Sequence, residues 1–514
     1  MTHRWMLVKN FREEMSSSIY KTHSKAFHRI SFITRGLSIL ALVCTLFLSP
    51  TAFVAADSRS IESSTGLFNT EKSLPQQDIF VTHSTYLPLI QRALEGFFVS
   101  PSGSDANDGS WMKPWRTIGK AASMVKAGDV VYIIDGIYKE FIKIRASGTA
   151  LEPIKFLPYP GNHPVIDGIN KDPGSNVGLL DIYGDYIYIS GLEVRNSALM
   201  GVYVYGNHDI VDNMYVHHCQ ENGILINHGK YSIVQNSRIW RNVLSNEFGV
   251  QGYWSTGLSA ARTGVQYATI RHNIVWENWG EGLSSFEADQ IIIEDNVVHD
   301  NYSTNIYISD STNILFQRNF VYTDPASYVF PYSDHGGIMM GDELYTPPSA
   351  NITIINNIAY GNQGNFWWWP GAQGGGMKNV LIGNNTFVNG IGDPNLGRGG
   401  VIISKGEHQN VRFENNLVQQ DGALPVIATI DQPGVTYSHN LWSKKPWEAA
   451  SGPGDIVGDP LFAHTGNPFA AEWYRLTGLS PAIDGALTLP NVTYDYFSNL
   501  REATPDIGAH EFLP

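Results

Sequence analysis

The sequence predicts an all-β protein built as a right-handed parallel β-helix, a single-stranded solenoid of about 23 residues per rung with an amino-terminal capping helix. Three observations lead there. Asparagine recurs after short β-branched runs at Asn213, Asn236, Asn273, Asn296, Asn319, Asn357, Asn385, Asn416 and Asn440, with shortest spacings of 23 and 24 residues. A second register, Gly201, Gly223, Gly257, Gly282, Asn305, Gly337, Asn365 and Gly400, opens alternating apolar runs such as Gly223-Ile224-Leu225-Ile226-Asn227. Composition agrees: 50 of 514 residues are glycine, and charged residues are 16%, below the roughly 25% of ordinary soluble domains.

One rung reads as strand, turn, strand, asparagine turn, strand, turn. Stacking rungs sets equivalent residues ~4.8 Å apart, so every strand pairs in parallel with those above and below it. Inward Val, Ile and Leu then form one continuous core. The recurring asparagine suits a stacked amide ladder, and Gly or Asn at the other turn tolerates positive φ. A leucine-rich repeat has a similar period, but it would carry leucine at fixed positions and a helix in each repeat.

The elements follow in order. Residues 1–56 read as a secretory signal: a basic stretch ending at Arg29 and Arg35, an apolar run from Leu37 to Leu48, then Val54-Ala55-Ala56. Its removal leaves 27 basic against 46 acidic side chains and a single thiol, Cys219, so no internal disulfide forms. So acidic a chain attracts neither nucleic-acid phosphates nor anionic lipid. Residues 57–96 read as a polar, Ser-rich linker, a tether or a docking segment. Residues 97–445 carry the solenoid and its cap, and 446–514 the carboxy-terminal rungs and cap segment.

Phe97-Phe98-Val99-Ser100-Pro101, Lys113-Pro114-Trp115-Arg116-Thr117-Ile118 and Ala127-Gly128-Asp129-Val130-Val131 resemble the amino-terminal portion of secreted pectin-lyase-like β-helix proteins. The resemblance implies that Thr117 to Lys126 is a helix capping the open end, where a terminal rung exposes apolar core and strand edges. Asp459-Pro460-Leu461-Phe462, Ser480-Pro481-Ala482-Ile483-Asp484 and Pro505-Asp506-Ile507-Gly508-Ala509 are similar to the carboxy-terminal stretch of such proteins.

Insertions mark a candidate site. The asparagine turn and the following Gly register are 8–10 residues apart in most rungs, but 21 from Asn236 to Gly257, 18 from Asn319 to Gly337 and 15 from Asn385 to Gly400. Further insertions follow the same strand at 341–351 and 371–379. Loops rising on both sides of one sheet make a groove, and long loops on a rigid scaffold carry function. Five residues on from each register position, one column reads Gly206, His228, Arg262, Glu287, Asp310, Asp342, Pro370, Lys405. Five consecutive ionisable rungs, His228 through Asp342, are close enough to shift one another's pKa.

Two chemistries fit this column. A uronate lyase abstracts the proton α to a carboxylate and needs a base together with a cation for the enolate charge; Arg262 and Lys405 are the candidate bases or charge clamps. Gly257-Leu258-Ser259-Ala260-Ala261-Arg262 resembles the Gly-Phe-Ala-Ala-Lys strand that bears the base in family-nine pectate lyases, with Val275-Trp276-Glu277-Asn278 resembling the next rung. Two departures stand out: Arg replaces Lys, and the calcium-holding aspartates of that family are missing, with only Glu247 in the corresponding loop. Val401-Ile402-Ile403-Ser404-Lys405 resembles the lysine strand of alginate and chondroitin lyases. A glycosidase instead needs two carboxyls, for which Glu287 pairs with Asp310 or Asp342, and Asp334-His335 in an inserted loop adds an acid or base.

Phe366-Trp367-Trp368-Trp369-Pro370 is the strongest binding feature. Strand alternation points Trp367 and Trp369 outward and Trp368 inward, and exposed indoles offer flat apolar faces to pyranose rings. Tyr203, Tyr205, Tyr307 and His228 extend that platform. The expected protein is a secreted monomer acting on a polysaccharide in the groove of the first sheet, most simply as a lyase, with Ca²⁺ held by Glu287, Asp310 and Asp342. A glycoside hydrolase or a non-catalytic glycan-binding β-helix are the alternatives.

Overall fold

The computed structural model describes residues 94–514 except 250–254, 263, 327–329, 331–335, 345–346, 372–374 and 393–398. Within them the chain winds into three parallel sheets of 11, 13 and 13 strands. One rung shows the unit: Met200–Val204 lies in the first sheet, Ile210–Asp212 in the second and Tyr215–His217 in the third. The next rung repeats it with Ile224–Ile226, Ile233–Gln235 and Arg238–Trp240, pairing Val202 with Ile224, Val211 with Val234 and Val216 with Ile239. These are right-handed parallel β-helix coils, as the periodicity predicts.

The strands are short because the chain turns after every third to sixth residue, and many turns place a non-glycine residue in the left-handed region. Asn313, Asn351, Asn379 and Asn410 do so at one corner and Asn356, Asn384 and Asn415 at the next, all with φ near +55°. That conformation costs most residues roughly 1–2 kcal/mol, and asparagine tolerates it best. Inside, Val202, Ile224, Leu258, Leu283, Ile306, Ile338, Phe366, Val401 and Ile427 stack as one wholly buried line of the first sheet. Cys219 is also buried in this core, unpaired, its thiol pushed up to about 12 by burial.

The expected amide ladder runs Asn273, Asn296, Asn319, Asn357, Asn385, Asn416 and Asn440, and ends on Asp455. From Asn296 to Asn440, each side-chain carbonyl accepts the Nδ2–H of the preceding rung's asparagine at 2.9–3.3 Å. It also accepts that residue's backbone N–H. Asn213 and Asn236 do not join it. They occupy the left-handed position one residue earlier, and Met214 and Ser237 take the ladder place, with Ser237 N–H bonded to Asn273 Oδ1. Asparagine suits both positions, so the 23-residue spacing looked alike in either. A second ladder lies at another corner, through Asn242, Asn278, Asn301, Asn305, Asn362 and Asn365. It recruits two members of the Gly register.

Both ends are closed. The helix Ile118–Met124 begins at Thr117, whose side chain accepts Lys120 N–H, and buries Ile118, Ala121 and Ala122. Glu140 accepts the helix's first free N–H groups, from Ile118 at 2.8 Å and Gly119 at 2.9 Å, as exposed amides at a helix start require. At the far end one short strand, Ile456–Val457, pairs with Leu441–Trp442. The remaining chain then folds back over the third sheet, where Phe462, Tyr474, Leu476, Ile507 and Ala509 cover Phe320, Ile358, Val388, Leu417 and Leu441. Its carbonyls take the corner amides: Asn356 donates to Tyr494, Asn384 to Asp506 and Asn415 to Leu487. The aspartates of this segment are turn formers, as Asp495 shows by accepting Asn499 and Glu511 N–H.

Asn319 is buried and makes bonds to the rung on either side. Asn319→Ala is expected to cost about 2–3 kcal/mol in denaturant unfolding, because buried amides of both neighbours lose partners. An unchanged midpoint would contradict the ladder's role.

Candidate functional site

Parallel pairing fixes the column at the end of the first sheet's strands. Ala261 pairs with Phe286, Phe286 with Ser309 and Ser309 with Gly341, so the residues that follow, Arg262, Glu287, Asp310 and Asp342, fall on successive rungs ~4.8 Å apart. His228 precedes Arg262, and Lys405 follows beyond Pro370. His228, Arg262, Glu287 and Asp310 all have positive φ, at 68°, 111°, 53° and 51°. This is where the strand leaves the sheet, and the reversal turns these side chains along the sheet's edge. Lys405 is exposed but five rungs from Arg262, roughly 24 Å along the stack. The two cations do not meet at one sugar.

The acidic half of the column is interior, against expectation. Asp310 is wholly buried. Its Oδ1 accepts Leu344 N–H at 2.7 Å, and its Oδ2 accepts Glu343 N–H at 3.1 Å and Ser309 O–H at 2.6 Å. Asp342, also buried, accepts Gly376 N–H through Oδ2, and among the described residues its Oδ1 meets no hydrogen-bond partner. Burial, with the neighbouring Asp342 adding to it, pushes the Asp310 carboxyl up to about 6, and burial raises Asp342 too. These carboxyls tie down the segments that follow the strands Ile338–Gly341 and Phe366–Trp368. They are not presented to a sugar, and with the oxygens of Asp310 given to amides, Glu287, Asp310 and Asp342 do not form the expected calcium shell. Among the described residues no group of three His, Cys, Asp or Glu side chains is arranged to hold a metal.

The aromatic floor is also covered. Trp367 points away from the core as alternation requires, paired with Met339 and Ile402, yet it is only 7% exposed. Tyr307 is 4% exposed and donates to Glu343 Oε1 at 2.8 Å, so the segment after the strand Ile338–Gly341 folds over it. Tyr203 is equally buried, its phenol pushed up to about 12 by burial while Arg262 opposes the rise. Periodicity sets direction and cannot show what lies on top. None of these three is an open platform. Trp368 is inside, as expected, and Trp369 is half-buried. Asp334 and His335 lie outside the described residues.

What stays accessible is the edge at the amino-terminal half. His228 is exposed, Arg262 and Glu287 are half-buried, and Tyr205 is 43% exposed. His228 Nδ1 bonds Asn227 Oδ1, and its ring lies 5.3 Å from Tyr205. Two neighbours escaped the sequence reading. Tyr183 lies 5.8 Å from Tyr205, and the Arg145 guanidinium sits 4.9 Å from the Tyr183 ring centroid. Their rungs precede Gly201, where the small-residue register has not yet begun. Counting one residue on from the inward Ile144 and Ile182 would have found their column.

The buried carboxyl pair has a pH consequence. Asp310 binds a proton more tightly folded than unfolded, so its stabilising contribution is complete below about 3.8 and is lost as pH rises through about 6. The melting temperature of wild type relative to Asp310→Asn is expected to fall across that window. A difference that stays constant from about pH 4 to pH 7 would contradict the assignment.

Residues 97–314 match the family model described as Pel9A-like, right handed beta helix region, and residues 256–440 match the model described as Right handed beta helix region. The chain is 23% identical over 433 residues to pectate lyase L of Dickeya dadantii (strain 3937), covering 81% of this chain and 90% of that protein. Among solved structures it is similar to pectate lyase Pel9A, with TM-score 0.49, 20% identity and coverage of 82% and 98%. It is also similar to XylC in complex with xylose, with TM-score 0.55, 12% identity and coverage of 81% and 98%, a likeness of fold. Among the described residues no helix is long and apolar enough to cross a membrane. With its three stacked parallel sheets and these matches, the chain is a right-handed parallel β-helix that is similar to pectate lyases.

Proposed function

We propose that the protein is a polysaccharide lyase that cleaves a uronate-containing glycan by β-elimination at the edge of its first sheet, around His228, Arg262 and Glu287. The observation that carries this reading is the half-buried Arg262, set one rung from an exposed imidazole on an accessible edge of a polysaccharide-lyase-like solenoid. Elimination breaks the C5–H bond beside the uronate carboxylate and the C4–O4 bond, and forms a C4=C5 double bond. The leaving oxygen takes a proton. The step needs a proton acceptor at C5 and positive charge where the carboxylate becomes enolate-like.

Arg262 suits the second task. Its guanidinium matches a carboxylate bidentately and resists giving up its proton. Imidazole is the side chain that accepts a proton near neutral pH. With Nδ1–H donated to Asn227 Oδ1, Nε2 of His228, which has no hydrogen-bond partner among the described residues, is the acceptor. Glu287, on Arg262's other side, orients the guanidinium or returns a proton to the leaving oxygen. The hydrolase alternative is weakened because Glu287's proposed partners, Asp310 and Asp342, are buried, with both oxygens of Asp310 and Oδ2 of Asp342 accepting backbone amides. The basic stretch, apolar run and Val54-Ala55-Ala56 support export, and we read the secreted protein as a monomer.

Arg262→Ala is expected to lower the formation of unsaturated, ultraviolet-absorbing products from polyuronates by at least about 100-fold, the scale of losing one preorganised charge donor, with melting unchanged. Full activity in that variant would remove Arg262 from the chemistry. Because Asp310 and Asp342 are buried and bound to backbone amides, calcium is not placed on them, and a chelator is expected to leave the melting temperature unchanged; a chelator-induced drop would put a cation on these carboxyls.

A further inference from the structure

We propose that Arg145, Tyr183 and Tyr205 form an anion-selective subsite that holds a carboxylated pyranose of the glycan, on the three rungs that precede the cleavage centre. The inference deepens the lyase reading and rests on it only for the identity of the glycan. Ile144 pairs with Ile182, and Ile182 with Val204. The residues that follow, Arg145, Tyr183 and Tyr205, therefore stand on three consecutive rungs of one outward column, ~4.8 Å apart. Asn227 continues that column, with His228 beside it, so a glycan lying parallel to the solenoid axis reaches both the subsite and the cleavage centre.

The chemistry of the three residues is complementary. Tyr183 and Tyr205, with centroids 5.8 Å apart and the buried Tyr203 behind them at 6.0 and 6.1 Å, offer ring surface to the apolar C–H face of a pyranose. Arg145 is exposed and lies over Tyr183. Among the described residues it makes no hydrogen bond or ion pair, so its N–H groups remain for a carboxylate. Stacking on the ring restricts the guanidinium and lowers the ordering cost of binding. Lys143 adds a second positive charge on the same strand, and both cations act on Asp181, which is buried and donates no exposed charge to the edge. In a chain of net charge −14, an accessible cation over tyrosine draws an acidic glycan to this end.

The test compares full-length Arg262→Ala, slowed in cleavage, with Arg262→Ala/Arg145→Ala, Arg262→Ala/Arg145→Lys and Arg262→Ala/Tyr205→Ala. Calorimetric titration uses oligogalacturonate and its methyl ester. Loss of Arg145 is expected to weaken binding of the free acid about tenfold and leave the ester unchanged, since only the acid carries the carboxylate. The lysine variant, which keeps the charge, regains part of the loss. Loss of Tyr205 weakens both ligands. Equal acid affinity with and without Arg145 would overturn the subsite while leaving the lyase reading standing. If the Arg262→Ala parent and the wild type bind neither ligand and the wild type cleaves no polyuronate, the lyase reading falls and the subsite with it.

Discussion

The whole architecture depends on parallel register between rungs. Once Ala261 is paired with Phe286 and Phe286 with Ser309, residues more than twenty positions apart in the chain become neighbours, and no local choice can undo it. The amide ladders hold that register. A slip by one residue would move every asparagine carbonyl off the N–H groups it accepts and bury a row of unsatisfied amides. Regularity at the corners therefore follows from hydrogen-bond accounting, and the left-handed strain at each turn is offset by bonds on both sides.

The same register sorts the edge column into two halves with different work. Where the insertions after the strands Ile338–Gly341 and Phe366–Trp368 fold back, Asp310 and Asp342 turn into ties that accept loop amides. Where the edge stays open, arginine, histidine and tyrosine face outward. The proposed site thus lies where the loops leave the edge uncovered, and a carboxylate ladder that looks functional in one dimension is buried in three. Burial and mutual proximity make that pair an acid-stabilised clamp, separate from the chemistry proposed at Arg262.

Much of the fold was legible because the solenoid repeats its instructions. Asparagine at one corner and glycine at another are enough to give the rung length, the parallel sheets and the column from His228 to Asp342. The misassigned Asn213 and Asn236 show the limit: two adjacent positions favour the same residue for different reasons, one for its amide ladder and one for its tolerance of positive φ. The covering of Trp367 and Tyr307 was not legible, since it arises from insertions outside the repeat. Nor was the carboxy-terminal strap, a non-repeating segment whose partners Asn356, Asn384 and Asn415 lie up to 145 residues away. Arg145 and Tyr183 were missed because the small-residue register starts after them.

Where a glycan lies on the solenoid therefore decides between the open edge and the buried carboxyls. A crystal structure of the Arg262→Gln protein with a uronate oligosaccharide is the most direct measurement. Density is expected along the edge of the first sheet, with one sugar carboxylate within hydrogen-bonding distance of residue 262 and C5 of that sugar facing His228 Nε2. An oligosaccharide bound on the second or third sheet, or across the buried Asp310–Asp342 pair, would contradict it.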